Sequence, residues 1–217
     1  MKRLRNKYIK DERVKFISHL DLLRVFQRAL RRADIKVAFS QGFNPHPKIS
    51  FGPALIVGAT TEGDYMDIDL EEDISPEEFR KKMNKVLPPG IEIVESYEVE
   101  LNDALSTKIK AAEYILQVNV KKSIKYIQNK IEEFMRKDII EIEKESKSGR
   151  KMVNIRPCVL ELKVIEEAED YLKFYIKLKL GEGAPNPLHL LKALNEYVGN
   201  LFDIDSYKLH RKNMILE

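Results

Sequence analysis

The order of periodicities along this chain runs twice, and that constrains its fold more than any single motif. A period-2 stretch at about 2–10 is followed by a helical period over 19–33 and by strand-like runs near 35–39, 49–57 and 65–70. A helix over 76–87, stopped by "LPPG", and a strand over 91–99 close the first series. The second series has a strand at 113–120, a helix over 122–136, strands near 139–145, 158–166 and 171–180, a helix over 187–198 and a strand over 206–216. Both read β-α-β-β-β-α-β. The second helix of each opens on a capping residue and a proline, Ser75-Pro76 and Asn186-Pro187, and proline suits a position whose N–H would be unpaired anyway. No residue-level repeat accompanies the element order. The expectation is an α+β chain of two tandem ferredoxin-like units, antiparallel sheets with two helices each, over 1–100 and 112–217, with 101–111 as a linker.

Charge is unevenly spread. Residues 1–50 hold 13 Lys and Arg against 4 Asp and Glu, whereas 62–103 hold 4 against 14. If both segments lie outside, the surface is polarised and one side suits an anionic ligand. The single cysteine, Cys158, leaves no internal disulfide and no cysteine-held cluster within this chain. No apolar run reaches 18 residues, and the basic start "MKRLRNKYIK" lacks the apolar stretch of a signal peptide. A cytoplasmic protein without membrane contact is expected.

On a helical wheel, "SHLDLLRVFQRALRRAD" gathers Leu22, Leu23, Phe26, Ala29, Leu30 and Ala33 on one arc. Arg24, Arg28, Arg31 and Arg32 gather on the other. Planar guanidinium forks suit phosphate, so this stripe is read as an anion-binding face. Ser18 and Asp21 make a capping-box-like start, which accounts for both structurally. His19 falls towards the apolar arc. It is either a structural histidine or a member of a cleft shared with the loop at 40–48.

That loop, "SQGFNPHPK", is stiffened by Pro45 and Pro47, which hold Asn44 and His46 extended, and is kinked at Gly42. Phe43 is either a platform for a nucleic-acid base, with Lys48 beside it for phosphate, or an anchor that folds back. The matching slot of the second half holds "KESKSGRKMVNIRP", also basic through Lys147, Arg150, Lys151 and Arg156. The four histidines, His19, His46, His189 and His210, are too scattered for a metal-ligand pattern, and no P-loop or GxGxxG is present. Gly181 and Gly183 read as a turn. No cofactor or metal is expected.

The run "SHLDLLR…RALRRA…SQGFNPHPKISF", with "DYMDIDL", "LPPGIEI" and "NIRP", resembles the bacterial radical SAM-linked protein family, a domain of unknown function found beside or fused to radical SAM proteins. The resemblance implies a separate radical SAM protein as partner and a place in RNA metabolism. This chain has no C-x-x-x-C-x-x-C, so the cluster would belong to another polypeptide. The leading expectation is a non-catalytic accessory protein that binds structured RNA, tRNA or rRNA. Its contacts would be Arg24, Arg28, Arg31, Arg32, Phe43, Asn44, His46, Lys48, Arg150, Lys151 and Arg156. The alternatives are a docking partner without RNA contact, or a metal-independent RNA endonuclease using His19 or His46.

Overall fold

Charges that alternate along "KRLRNKYIK" and "DYMDIDL" meet when the strands they form pair. In the computed structural model, which describes residues 1–121, 127–146, 149–181 and 184–217, β1 (Lys2–Lys10) lies antiparallel to β3 (Thr60–Leu70). The register sets Arg3 opposite Asp69, Arg5 opposite Asp67 and Tyr8 opposite Asp64. Arg5 and Asp67 are bonded through two N–H donors at 2.8 and 2.9 Å, and both side chains are only 3% exposed. Arg3 and Asp69 form a second such pair. The residues between them, Leu4, Met66 and Ile68, point to the opposite face and are fully buried. The expectation of a basic and an acidic surface is therefore corrected. Part of the opposed charge of the two segments is cancelled inside the sheet.

The chain divides into two units, Met1–Ile109 with Arg211–Glu217, and Lys110–His210. Both are α+β. In the first, β1 sits between β3 and β4 (Ile91–Val99), and the short β2 (Ile49–Phe51) pairs with β3 on its other side. Helices α1 (His19–Arg32) and α2 (Pro76–Val86) bury Phe26, Ala29, Leu30, Phe79 and Met83 in one cluster with Leu4, Tyr8, Met66, Ile68 and Ile93. The charged face is closed by 101–103, whose carbonyls accept from Arg3 and Arg5. Residues 101–111 carry the helical turn α3 (Leu105–Lys108), with Leu105 and Ile109 buried.

The second unit contains β5 (Ile109–Val120) from Lys110 onward, α4 (Ile127–Met135), β6 (Glu141–Ser146), β7 (Gly149–Asn154), β8 (Val159–Glu167), β9 (Tyr171–Lys179) and α5 (Pro187–Tyr197). Strand β10 (Phe202–Leu216) contributes its residues up to His210 here and Arg211–Leu216 to the first unit. The order β10-β5-β9-β8 repeats β4-β1-β3-β2: the first strand lies between the last and the third. Leu116, Phe174, Leu178, Leu194 and Phe202 fill the core. Helix α5 ends where Gly199 and Asn200 take positive φ, and Asn200 N–H closes on the Asn195 carbonyl.

Two expected strands differ, and one further strand is present. The strand over 35–39 is reduced to isolated bridges at Val37 and Phe39. The strand over 49–57 stops at Phe51, because Pro53 lacks an amide for a ladder and Gly58 turns at φ 90°. Strand β7 was not expected at all. The first part of the 122–136 helix, Lys147 and Gly183 lie outside the described residues. Among the described residues no helix is long and apolar enough to cross a membrane.

Candidate nucleic-acid interface

Helix α1 begins where Ser18 caps it, accepting from the Asp21 amide at 3.1 Å and donating its own hydroxyl to the Asp21 carboxylate. Asp21 also accepts from Arg24 at 2.8 Å, and these bonds hold its carboxyl below the usual carboxylate range. Its Leu22, Phe26, Ala29 and Leu30 face the core, so period 3.6 turns Arg24, Arg28, Arg31 and Arg32 to the exposed side. Arg32 reaches across to the Val86 carbonyl at the end of α2, and Arg24 is tied to Asp21. Arg28 and Arg31 stand exposed between them.

The loop at 40–48 is a hairpin rather than an irregular excursion. Ser40 and His46 exchange two bonds: the Ser40 amide donates to the His46 carbonyl, and the His46 amide to Ser40 Oγ. Lys48 N–H donates to Ala38, and the Lys48 carbonyl accepts from Asp69, which ties the hairpin base to β3. Gly42, at φ 132°, makes the turn in a region that L side chains avoid. Phe43 at the tip is 106% exposed and does not fold back. Asn44 and His46 are exposed and Lys48 is half-buried.

Between hairpin and helix lies a cavity of about 300 Å³. Leu30, Ile35, Val37, Phe39, Pro45 and Pro47 form its apolar walls, while Gln27, Arg31 and His46 supply polar edges. That volume and mixture suit a small planar ligand. The structure thus brings Arg31 and His46 together.

His19 is elsewhere. The alternative that it shares the hairpin's cleft is corrected: its ring stacks edge-on against Phe51 at 5.4 Å and lines a separate, narrow cleft with Tyr8, Lys10 and Asp64. Sequence reasoning missed this cleft. Lys10 and Asp64 are each 3% exposed, and Arg211 from β10 is 2% exposed. Asp64 accepts from Thr61 Oγ1 at 2.8 Å and from Arg211 at 3.2 Å, with the Tyr8 hydroxyl at 3.5 Å. Burial holds the Lys10 ammonium below its ordinary pKa and pushes the Tyr8 phenol well up. The one available signal was position: Lys10 shares β1 with Tyr8, and Asp64 lies near the start of the acidic run. No local pattern could foretell Arg211, 147 residues away.

In the second unit the basic slot is the β6–β7 hairpin. Arg150 lies 3.7 Å from Glu143, and Lys151 is exposed. Arg156 turns inward, donating to the Met135 and Val159 carbonyls at 3.0 Å each. His189 completes the cap of α5, its amide donating to Asn186 Oδ1 and its Nδ1 accepting from the Asn186 amide. Among the described residues no group of three or more His, Cys, Asp or Glu is placed to hold a metal ion.

Residues 3–188 match a protein family described as "Uncharacterized protein conserved in bacteria (DUF2344)". No curated protein matches the chain. Among solved structures, a chain of a Cbf5–Nop10–Gar1 complex is similar over 97% of this chain, at 12% identity and a TM-score of 0.54. A chain of an H/ACA RNP bound to a substrate RNA containing 2'-deoxyuridine is similar over 96%, at 11% identity and a TM-score of 0.50. This chain spans about half the length of each, 48% and 47%. At such identity the likeness concerns the fold.

Proposed function

We propose, from the premise that this chain belongs to the bacterial family DUF2344, that it is a non-catalytic RNA-binding accessory protein acting with a separate radical SAM enzyme. The observation that carries the RNA reading is the juxtaposition on one unit of exposed Arg28 and Arg31 with a 300 Å³ cavity edged by Arg31 and His46. Guanidinium groups along α1 hold backbone phosphates, and an unstacked base enters between Phe39 and the hairpin, its edge met by Gln27 and His46. Phe43 at the tip stacks on a neighbouring base. Lys48, Asn44 and the exposed Lys151 extend the polar contact. The fold likeness to a chain of an RNP bound to RNA is consistent with this reading. The repeated strand order supports two tandem ferredoxin-like units over 1–100 and 112–217 joined by 101–111. The radical SAM partner rests on the sequence resemblance alone.

A docking role without RNA is the second reading, favoured by the exposed apolar side chains Phe16 and Leu20, 73% and 62% exposed. A metal-independent RNA endonuclease using His19 or His46 is the third reading; the two line different cavities, so they would not act as a pair. The test is recovery of RNA and protein from native lysate on the immobilised chain. Structured RNA retained at low salt, and lost with Phe43→Ala plus His46→Ala, supports the RNA reading. A radical SAM protein recovered without RNA favours docking and sinks it.

A further inference from the structure

The cleft under the first turn of α1 has a charge imbalance. Its walls are Tyr8, Lys10, Asp64 and Leu22, and its mouth is formed by Ser18, His19, Pro53 and Ala54. The ionisable groups that face it are Lys10, Asp64, Tyr8 and His19, with Arg211 behind Asp64. The Asp64 carboxylate is already committed to Arg211, Thr61 and Tyr8. Arg211 also donates to the Pro53 and Ala54 carbonyls, which fixes the mouth. That leaves Lys10, whose ammonium has, among the described residues, one acceptor, the Lys15 carbonyl at 3.3 Å. A lysine 3% exposed with so little compensation is costly. Two buried cations against one carboxylate favour a further negative group.

The space fits a particular kind of anion. The cleft has room, about 10 Å³, for roughly one water-sized atom, and it opens to solvent beside the N-terminus of a 14-residue helix. That helix end carries positive potential. One oxygen of an oxyanion can enter to Lys10 while the remaining oxygens stay at the mouth with His19. The Asp21 carboxylate, bonded to Ser18 and Arg24, is the one acid at that rim in the first turn of α1.

We propose that this cleft is an oxyanion site in which Lys10 is the charge partner of a phosphate monoester, either free phosphate or the phosphorylated end of a bound nucleic acid. The second source rests on the RNA reading above; the first does not.

Calorimetry with inorganic phosphate tests this. Expected is one site per chain, weakened at least tenfold in Lys10→Met. His19→Ala, on an exposed rim residue that leaves the core intact, is expected to weaken it several-fold and keeps the test open should Lys10→Met misfold. An unmodified site count of zero at 10-fold molar excess over millimolar protein, or equal binding by both variants, overturns the proposal. Oligonucleotides with and without a 5'-phosphate then separate the sources. A preference for the phosphorylated end that Lys10→Met abolishes assigns the site to the nucleic acid; phosphate binding without that preference assigns it to the free anion. Arg28→Ala with Arg31→Ala leaves phosphate binding unchanged while weakening RNA binding, so failure of the two readings is told apart.

Discussion

The two units repeat a strand order but spend their cations differently. In the first, Arg5 is buried against Asp67 and the half-buried Arg3 pairs with Asp69, while Arg28 and Arg31 are left to solvent beside a cavity. In the second, Arg156 is turned onto backbone carbonyls, Arg150 lies near Glu143, and Lys163 pairs with Glu161 at the surface. The difference teaches that a similar basic composition in corresponding slots does not make corresponding sites. Where the first unit neutralises its strand charges internally, its helix charges remain available for a ligand.

The largest expected effect comes from breaking the internal pairs. Arg5→Ala leaves Asp67 buried and unpartnered and is expected to cost about 3–5 kcal/mol in chemical denaturation. Lys163→Ala, which removes a half-exposed pair, is expected to cost under about 1 kcal/mol. Similar losses would erase the contrast between the units. Next comes Arg156→Ala, which removes two partly buried bonds to carbonyls. It is expected to lower stability by about 1–3 kcal/mol and leave RNA affinity unchanged in a binding titration.

A third effect is set by pH and belongs to the second unit. Burial holds His189 below its ordinary 6.5, and its neutral Nδ1 accepts from the Asn186 amide. The unfolded chain therefore binds the proton first, so stability is intact above pH 6.5 and declines as pH falls through that value. Thermal melts of the native chain and His189→Gln should diverge in slope below pH 6.5, by about 1 kcal/mol or less in stability. Parallel curves would contradict the capping role. The smallest effect is expected from Arg150→Ala with Lys151→Ala, whose RNA affinity should fall by less than that of Arg28→Ala with Arg31→Ala. The reverse ranking would move the interface to the second unit.

What the sequence disclosed follows from which forces are local. The arginine stripe and the Ser18 cap were legible because helical period and capping act within a few residues. Both helix starts with proline were legible for the same reason. The hairpin at 40–48 was recognisable as stiff, yet its cavity depends on Leu30, Val37 and Phe39 meeting through tertiary packing. The acidic run looked like surface because only strand register decides that Asp67 faces Arg5. The cleft at Lys10 was hidden for a deeper reason: Arg211 arrives from the far end of the chain. The short β2 shows where proline and glycine placement outweighed a weak strand period, and β7 forms because it pairs with β6.

The most direct test of the central claim is the salt dependence of structured-RNA binding by the native chain and by Arg28→Ala with Arg31→Ala. If these arginines hold phosphates, the plot of log affinity against log salt is steep for the native chain and its slope shrinks by about 2 in the double variant. Equal slopes in the two proteins, or no binding at low salt, would contradict the account.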